Sequence, residues 1–455
     1  MKRSSRTQRE SMGKAALAIV LSLSLFAACS SASDSSAPAP ADTPLSAERH
    51  FHKIKGGTVD GGTSPEASTD TGAVSDAVSE ASTDTGAVSE ASTDTGAVSE
   101  ASTDTGAVSE ASTDTGAVSE ASAEASPATD GSVPYLHAVG STLIDGSGNT
   151  VRLHGVNRSG LEYACIQGWG FFDGPSDDNS LAAIASWKSN SVRILLNEDC
   201  WLGINGVPAQ YGGTNYQQVV SDFADRIWAH GMYPVVTLHH SAPGTTPATG
   251  QSPMPDMDHT VTFWSQVAAM FAARPNVVLE LFNEPYPDND QDTTAAWTCW
   301  RDGGTCSGVS YQAAGMTTLL NAVRQAGANN LVLLGGVQYS NALSQFASYL
   351  PSDPAKNVGA AWHVYNFNTC NNTTCYDGAA ASVAAQYPIV ATEIGEDDCG
   401  GSFITTLMGW LDSKQQSYMA WTWDTWGNCL DLISDYSGTP TSPYGATFKN
   451  HLAGL

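Results

Sequence analysis

The chain has 455 residues, with 46 acids against 19 Lys and Arg and a formal net charge of -27. That surplus excludes nucleic acid and anionic lipid as partners held by charge, and it suits a neutral substrate. Apolar residues make up 41% of the chain, enough for one large core, but they are unevenly distributed along it.

Residues 1–28 carry Lys2, Arg3, Arg6, Arg9 and Lys14 ahead of an apolar stretch, Ala15 to Ala28. This pattern predicts a secretory signal, too short for a stable membrane-spanning helix. Its end, Phe26-Ala27-Ala28-Cys29, resembles the lipobox of bacterial lipoproteins, which implies that Cys29 becomes the lipid-carrying N-terminus. Simple secretion and an uncleaved anchor are the alternatives. Met12 offers a second start site, and neither choice alters the mature protein. The expected location is therefore outside the cytoplasm, as a lipoprotein at the outer membrane or cell surface, or else secreted, with the membrane touched only through the anchor.

Residues 29–134 are Ser, Ala, Thr, Gly, Pro and acids, with almost nothing large and apolar. The decapeptide Ser-Glu-Ala-Ser-Thr-Asp-Thr-Gly-Ala-Val recurs unchanged from Ser79, Ser89, Ser99 and Ser109. A unit with one Val as its only sizeable apolar side chain cannot bury a core, so the segment is expected to be a disordered acidic linker. About 75 such residues would span roughly 50 Å as a flexible coil, and repulsion between the acids extends them further. An adhesive or calcium-binding array is the alternative.

From Tyr135 the composition changes, and Trp, Tyr, Ile and Leu appear in periodic runs to residue 455. Leu136 to Val151 contains Ile-Asp-Gly-Ser-Gly-Asn-Thr, a hairpin signal that could cover the bottom of the domain. Apolar strand runs then occur at Val151 to Val156, Ser191 to Leu196, Met232 to His239, Asn276 to Asn283, Asn330 to Val337, Val358 to Tyr365, Pro388 to Ile394 and Ser417 to Asp424. Helical patterns lie between them at Leu181 to Ser189, Tyr216 to His230, His259 to Ala273 and Tyr311 to Ala326. Eight strands alternating with helices predict an α/β fold, a (β/α)8 TIM barrel over 135–455. A doubly wound open sheet is the alternative, weakened by the lack of a glycine-rich loop after the first strand.

Eight cysteines lie in this last zone. An even set in an exported chain favours disulfides over a zinc site, since no close Cys-x-x-Cys pair occurs. Of 105 connectivities, Cys299 with Cys306 and Cys370 with Cys375 are near in sequence, while Cys165 with Cys200 and Cys399 with Cys429 would join adjacent loops.

In such a barrel the active site lies at the C-terminal strand ends. Arg193 lies within strand two, His239 and His240 end strand three, Asn283 and Glu284 end strand four, His363 and Tyr365 end strand six, Glu393 ends strand seven, and Trp421 and Trp423 lie on strand eight. Singly, each has an ordinary structural explanation. Jointly, two strand-end acids, Glu284 and Glu393, are the apparatus for cutting a glycosidic bond. Glu280 shares the parity of Glu284 but sits deeper, and Arg193 is its candidate partner. Glu396, Asp397 and Asp398 are read as a solvated loop or helix N-terminus rather than a metal site. Trp169, Trp201, Trp423 and Trp426 are candidate sugar platforms.

Seven motifs in order, Leu153-His-Gly-Val-Asn157, Ser191-Val-Arg193, Leu238-His239, Phe282-Asn-Glu-Pro285, His363-Val-Tyr365, Thr392-Glu393 and Ala420-Trp421, resemble glycoside hydrolase family 5, the cellulase-type retaining glycosidases. The resemblance covers nearly all of 135–455. It implies Glu284 as general acid/base and Glu393 as nucleophile, with Asn283 on the sugar 2-hydroxyl. It also implies that Arg193 and Tyr365 hold Glu393 ionised, that His239 and His363 line the reacting subsite, and that Trp421 lies under the sugar ring. The implied activity is that of a monomeric retaining hydrolase of β-linked polysaccharide needing no metal or cofactor, with an endo-β-1,4-glucanase as the first expectation. Mannanase, xyloglucanase and exo-acting glycosidase share the same core motifs. The loops Asn197 to Gly203 and Cys299 to Cys306 depart from the commonest cellulase pattern. A surface sugar-binding protein without catalysis would be expected to lack one acid, and no Gly-x-Ser-x-Gly elbow supports an esterase.

Overall fold

A computed structural model describes residues 136–455. The signal segment, Cys29 and the repeats lie outside the described residues. No helix among them is long and apolar enough to cross a membrane.

Eight parallel strands close into a barrel in sequence order: β1 (His154–Arg158), β2 (Ser191–Asn197), β3 (Tyr233–His240), β4 (Val278–Glu280), β5 (Val332–Gly335), β6 (Val358–Tyr365), β7 (Ile389–Gly395) and β8 (Ser417–Ala420). Closure rules out the open doubly wound sheet. β4 is shorter than its apolar run because the chain leaves the ladder after Glu280, and β8 ends at Ala420 rather than Asp424.

Outside the strands run α1 (Asp178–Ser186), α2 (Thr214–Ala229), α3 (Thr260–Phe271), α4 (Thr294–Asp302), α5 (Met316–Gln325), α6 (Ser402–Ser413) and α7 (Tyr444–Gly454). In α3 the buried residues Phe263, Trp264, Val267, Ala268 and Phe271 recur at helical spacing and make one apolar stripe. The Trp264 indole also donates to the Leu281 carbonyl at 2.9 Å, fixing the helix beside the end of β4. Strand residues of one parity, such as Val192, Ile194 and Leu196, join this outer core. The other parity fills the lumen.

The lower lumen is apolar: Tyr233, Val235, Val278, Leu333, Ala361, Val390 and Met419 pack with Leu136 and Leu143. The last two belong to a three-stranded antiparallel sheet, Leu136–Val139, Thr142–Asp145 and Thr150–Val151, that plugs the strand starts. The expected hairpin thus gains a third strand. With its bottom sealed, the barrel has its polar lumen residues near the C-terminal mouth.

The eight cysteines pair as Cys165–Cys200, Cys299–Cys306, Cys370–Cys375 and Cys399–Cys429. All lie in segments beyond the ends of the barrel strands, outside the barrel ladder. Cys165–Cys200 ties the loop after β1 to the loop after β2, and Cys399–Cys429 does the same for β7 and β8.

Candidate active site

The upper lumen is organised around Arg193. Its fully buried guanidinium donates from Nε to Glu280 Oε2 at 2.6 Å, from Nη1 to Glu393 Oε1 at 2.6 Å and to Asn157 Oδ1 at 2.9 Å, and from Nη2 to Asn283 Oδ1 at 2.8 Å. One planar fork therefore fixes four side chains at the ends of three other strands, β1, β4 and β7, a task a lysine ammonium could not perform in the same geometry. Burial opposes the charge on Arg193, but Glu280 and Glu393 more than offset it and raise its pKa.

Glu393 receives a second bond on its other oxygen, from the Tyr365 hydroxyl at 2.6 Å. Thr392, the preceding residue, also reaches the lumen and donates to Glu280 Oε1 at 2.8 Å. Strand parity alone would send adjacent residues to opposite faces. A register shift between Ala391 and Ile394 in β7 permits both to point inward.

Glu284 lies just beyond β4. Its Oε1 is 2.8 Å from His363 Nδ1, and its Oε2 accepts a bond from Gln251 Nε2. His363 Nε2 is 3.1 Å from Thr392 Oγ1. Because that hydroxyl donates to Glu280, it accepts from His363, which fixes a proton on Nε2. Burial raises the pKa of Glu284, the charge of Glu393 raises it further, and His363 partly opposes both. For His363 burial acts downward, but Glu393, Glu280 and Glu284 prevail and push it up to about 9. The Glu284–His363 pair thus retains a proton that either partner can hold.

This shift makes stability depend on pH. The ordinary His363 value is 6.5 and the folded value about 9, so the folded state binds this proton more tightly than the unfolded chain does. Its contribution, roughly 3 kcal/mol at most, is fully present below pH 6.5 and is lost as pH rises through about 9. The melting temperature is expected to fall across that window. In His363→Asn the fall should be shallower, as read by scanning calorimetry; an unchanged slope would contradict the assignment.

Asn283 is held by two constraints. Arg193 takes its Oδ1, and the Ser340 hydroxyl donates to its backbone carbonyl at 2.8 Å. A Cβ at Gly335 would lie 2.2 Å from the Ser340 oxygen, so only glycine at the end of β5 leaves that hydroxyl its place. Asn283 Nδ2 is buried without a partner and is available to a ligand. His239 stacks on Trp421, with centroids 5.8 Å apart and planes 13° apart, and burial lowers its pKa well below the ordinary value. His240 sits beside it, its Nδ1 3.0 Å from the Glu162 carbonyl, and burial brings it down to about 4.

Arg193, His239, Asn283, Glu284, His363, Tyr365, Glu393 and Trp421 thus converge on one mouth. Trp423 does not. Because β8 ends at Ala420, strand parity no longer governs it: Trp423 is 0% exposed and packs edge-on against Trp187 at 4.8 Å, offering no face to a ligand. Trp201 is likewise buried, against Phe263. Trp426 is 42% exposed, lies 6.3 Å from Trp421 and donates its indole N–H to Asp173 at 2.9 Å. Trp169 is also exposed, 6.0 Å from Tyr163. Glu396 accepts from Phe403 N at 2.9 Å and so serves the start of α6, as the helix-terminus reading expects.

Three features escape the sequence. Gln251 lies in a loop with no periodicity to mark it. Phe367, 49% exposed, stacks on Tyr365 at 5.0 Å, and Tyr286 stacks on Tyr339 at 4.4 Å above Glu284. The Gln251–Glu284 and Tyr286–Tyr339 contacts join distant chain segments through loop geometry, and the Phe367 stack depends on the turn just after β6, neither of which spacing encodes.

One ligating atom from each of Glu284, His363 and Glu393 lies within 4.8 Å of the others. That proximity brings the two carboxylates closer than the roughly 6.5–9.5 Å of an inverting pair, which must admit a water, and near the roughly 5–5.5 Å of a retaining pair. Among the described residues, Glu198, Asp256 and His259 form a second group spaced closely enough to share a metal ion.

Residues 144–429 match the family profile Cellulase (glycosyl hydrolase family 5). The chain is 23% identical over 296 residues to Endoglucanase E-5 of Thermobifida fusca, covering 62% of this chain and 53% of that protein. It spans about half the length of the first curated relatives it matches. A β-glucanase of Saccharophagus degradans shares the fold with a TM-score of 0.55 at 19% identity, over 71% of this chain and 94% of that one. The catalytic domain of a mannanase from Streptomyces sp. SirexAA-E shares it with a TM-score of 0.51 at 21% identity, over 74% of this chain and 95% of that one.

Proposed function

The chain belongs to glycosyl hydrolase family 5, and on that premise we propose that it hydrolyses a β-linked glycan with retention of configuration, acting within β-1,4-glucan chains. The observation that carries this reading is the close approach of Glu284 and Glu393 across the barrel mouth. The similarity to Endoglucanase E-5 supports a glucan over other polymers.

In the first half-reaction Glu393 attacks the anomeric carbon while Glu284 protonates the departing oxygen. Arg193 and Tyr365 hold one oxygen each of Glu393, restricting its rotation and orienting it for attack. Once Glu393 is esterified its negative charge is gone, and one of the causes raising Glu284 disappears with it. Glu284 then passes to the carboxylate form more readily and takes a proton from the incoming water. The free Asn283 Nδ2 suits the sugar 2-hydroxyl, and the Trp421 face suits the apolar side of a pyranose ring.

Trp426 extends that aromatic surface beyond the reacting sugar. Trp426→Ala is expected to raise KM about tenfold on a polymer, equivalent to roughly 1.4 kcal/mol, with kcat changed less than twofold. Initial-rate kinetics check this, and an equal fall in kcat would place Trp426 in the reacting subsite instead.

The proposal includes export, with Cys29 as the lipid-bearing residue and the acidic repeats holding a monomeric catalytic domain away from the surface. The composition of residues 1–134 supports that part. Substrate class is tested by reducing-sugar release from carboxymethylcellulose, mixed-linkage glucan, β-mannan and xyloglucan, with Glu284→Gln as control. Release from the glucans, abolished in the variant, is the expected result. Release from mannan alone would replace the glucan by a mannan, and no release from folded protein would remove the hydrolase reading.

A further inference from the structure

A second set of buried acids lies behind the loops after β2 and β3. Glu198 begins the short helix Glu198–Leu202 directly after β2, while Asp256 and His259 end the loop that leads into α3. Glu198 and Asp256 are fully buried, and the His259 side chain is 22% exposed. One ligating atom from each of the three lies within 4.8 Å of the others.

The local donors do not satisfy these groups. Thr260 Oγ1 serves Glu198 Oε1 at 2.6 Å and lies 3.2 Å from Asp256 Oδ2, and the His259 backbone N–H serves Asp256 Oδ1 at 2.8 Å. Glu198 Oε2 and His259 Nδ1 are then left buried without a hydrogen-bond partner. Among the described residues neither Glu198 nor Asp256 pairs with a Lys or Arg, and the nearest compensating contact is His259 Nδ1 to Asp256 Oδ1 at 3.8 Å. Two buried carboxylates facing one another without a cation are costly. Burial first, then Asp256, raises the pKa of Glu198, the response of a carboxylate deprived of a counter-charge.

We propose that Glu198, Asp256 and His259 bind one divalent metal cation. Two carboxylates and an imidazole suit Zn2+ or Mn2+ better than Ca2+, which takes six to eight oxygens. The partly exposed side at His259 leaves room for a water ligand. This ion would be structural, apart from the hydrolytic chemistry, and its binding does not depend on the glycan reading.

Its place in the fold gives it a task. The loop from Ser241 to His259 is held in its middle by Asp199, which accepts from Ala248 N at 2.8 Å, and near its far end by the backbone bridge between Asp256 and Ala313. Gln251, which donates to Glu284, lies on the stretch between those two points. A cation at Asp256 would fix the end of that strap and, through it, the position of Gln251 over Glu284.

The test uses the full chain, stripped with EDTA and dialysed, then titrated with ZnCl2 and, separately, with MnCl2 by isothermal calorimetry and followed by thermal unfolding, beside His259→Ala and Glu198→Gln. The expected result is one Zn2+ per chain, a melting temperature raised by at least about 3 °C at saturation, and binding weakened tenfold or more in each variant. His259 is partly exposed, so its variant is expected to fold, which circular dichroism verifies. Zn2+ binding unchanged in both variants would assign the ion to other side chains and overturn the proposal. An absence of Zn2+ and Mn2+ binding would overturn it, and Glu198→Gln as stable as the parent would then favour a proton shared between Glu198 and Asp256.

Discussion

Glu393→Ala is expected to lower kcat/KM on the polymer on the order of 10^5-fold, about 7 kcal/mol of transition-state stabilisation. The loss is large because no neighbouring carboxylate can take over. Glu280 is committed to Arg193 and Thr392, and Glu284 stands on the leaving-group side with His363 and Gln251. The fold should survive, since Arg193 keeps Glu280, Asn157 and Asn283 as partners. Azide should restore turnover of an aryl glycoside bearing a good leaving group and yield a glycosyl azide of inverted configuration, because the small anion enters the space the carboxylate vacated. With Glu284→Ala the same aryl glycoside should lose far less activity than the polymer, because its leaving group needs no proton. Equal losses on both substrates in both variants would contradict the division of roles.

The second large effect is on stability. Arg193→Met is expected to destabilise the protein by about 3–5 kcal/mol, because it leaves Glu280 and Glu393 buried without their shared counter-charge. The melting temperature should fall on the order of 10 °C, with partial recovery in Arg193→Met with Glu280→Gln, which removes one stranded charge. Denaturant unfolding of the three proteins measures this. If Arg193→Met were as stable as the parent, the guanidinium would not be the group that holds the strand ends together.

Much of the fold is legible in the sequence because buried parallel strands have a plain signature. Each is a short apolar run, and β6 begins and ends where its run does, at Val358 and Tyr365. Residues on regular strand ends are equally legible: Arg193, His239 and His363 share a parity that the pleat transmits directly to the lumen. Where regularity stops, so does the reading. Trp423 misleads because β8 ends three residues before it, and the inward turn of both Thr392 and Glu393 depends on a register shift that no periodicity announces. Gln251 sits on a loop whose path is set by distant anchors, such as the Asp199 to Ala248 contact, rather than by its own neighbours in sequence.

The alternating roles of Glu284 and Glu393 require a covalent glycosyl ester on Glu393. The most direct measurement is to incubate the protein with a dinitrophenyl 2-deoxy-2-fluoro-β-glycoside, which slows hydrolysis of that ester, and to map the modified peptide by mass spectrometry. The predicted result is a single 2-fluoroglycosyl adduct on Glu393, abolished in Glu393→Ala. An adduct on Glu280 or Glu284, or the absence of any adduct while the polymer is cleaved with inversion, would contradict it.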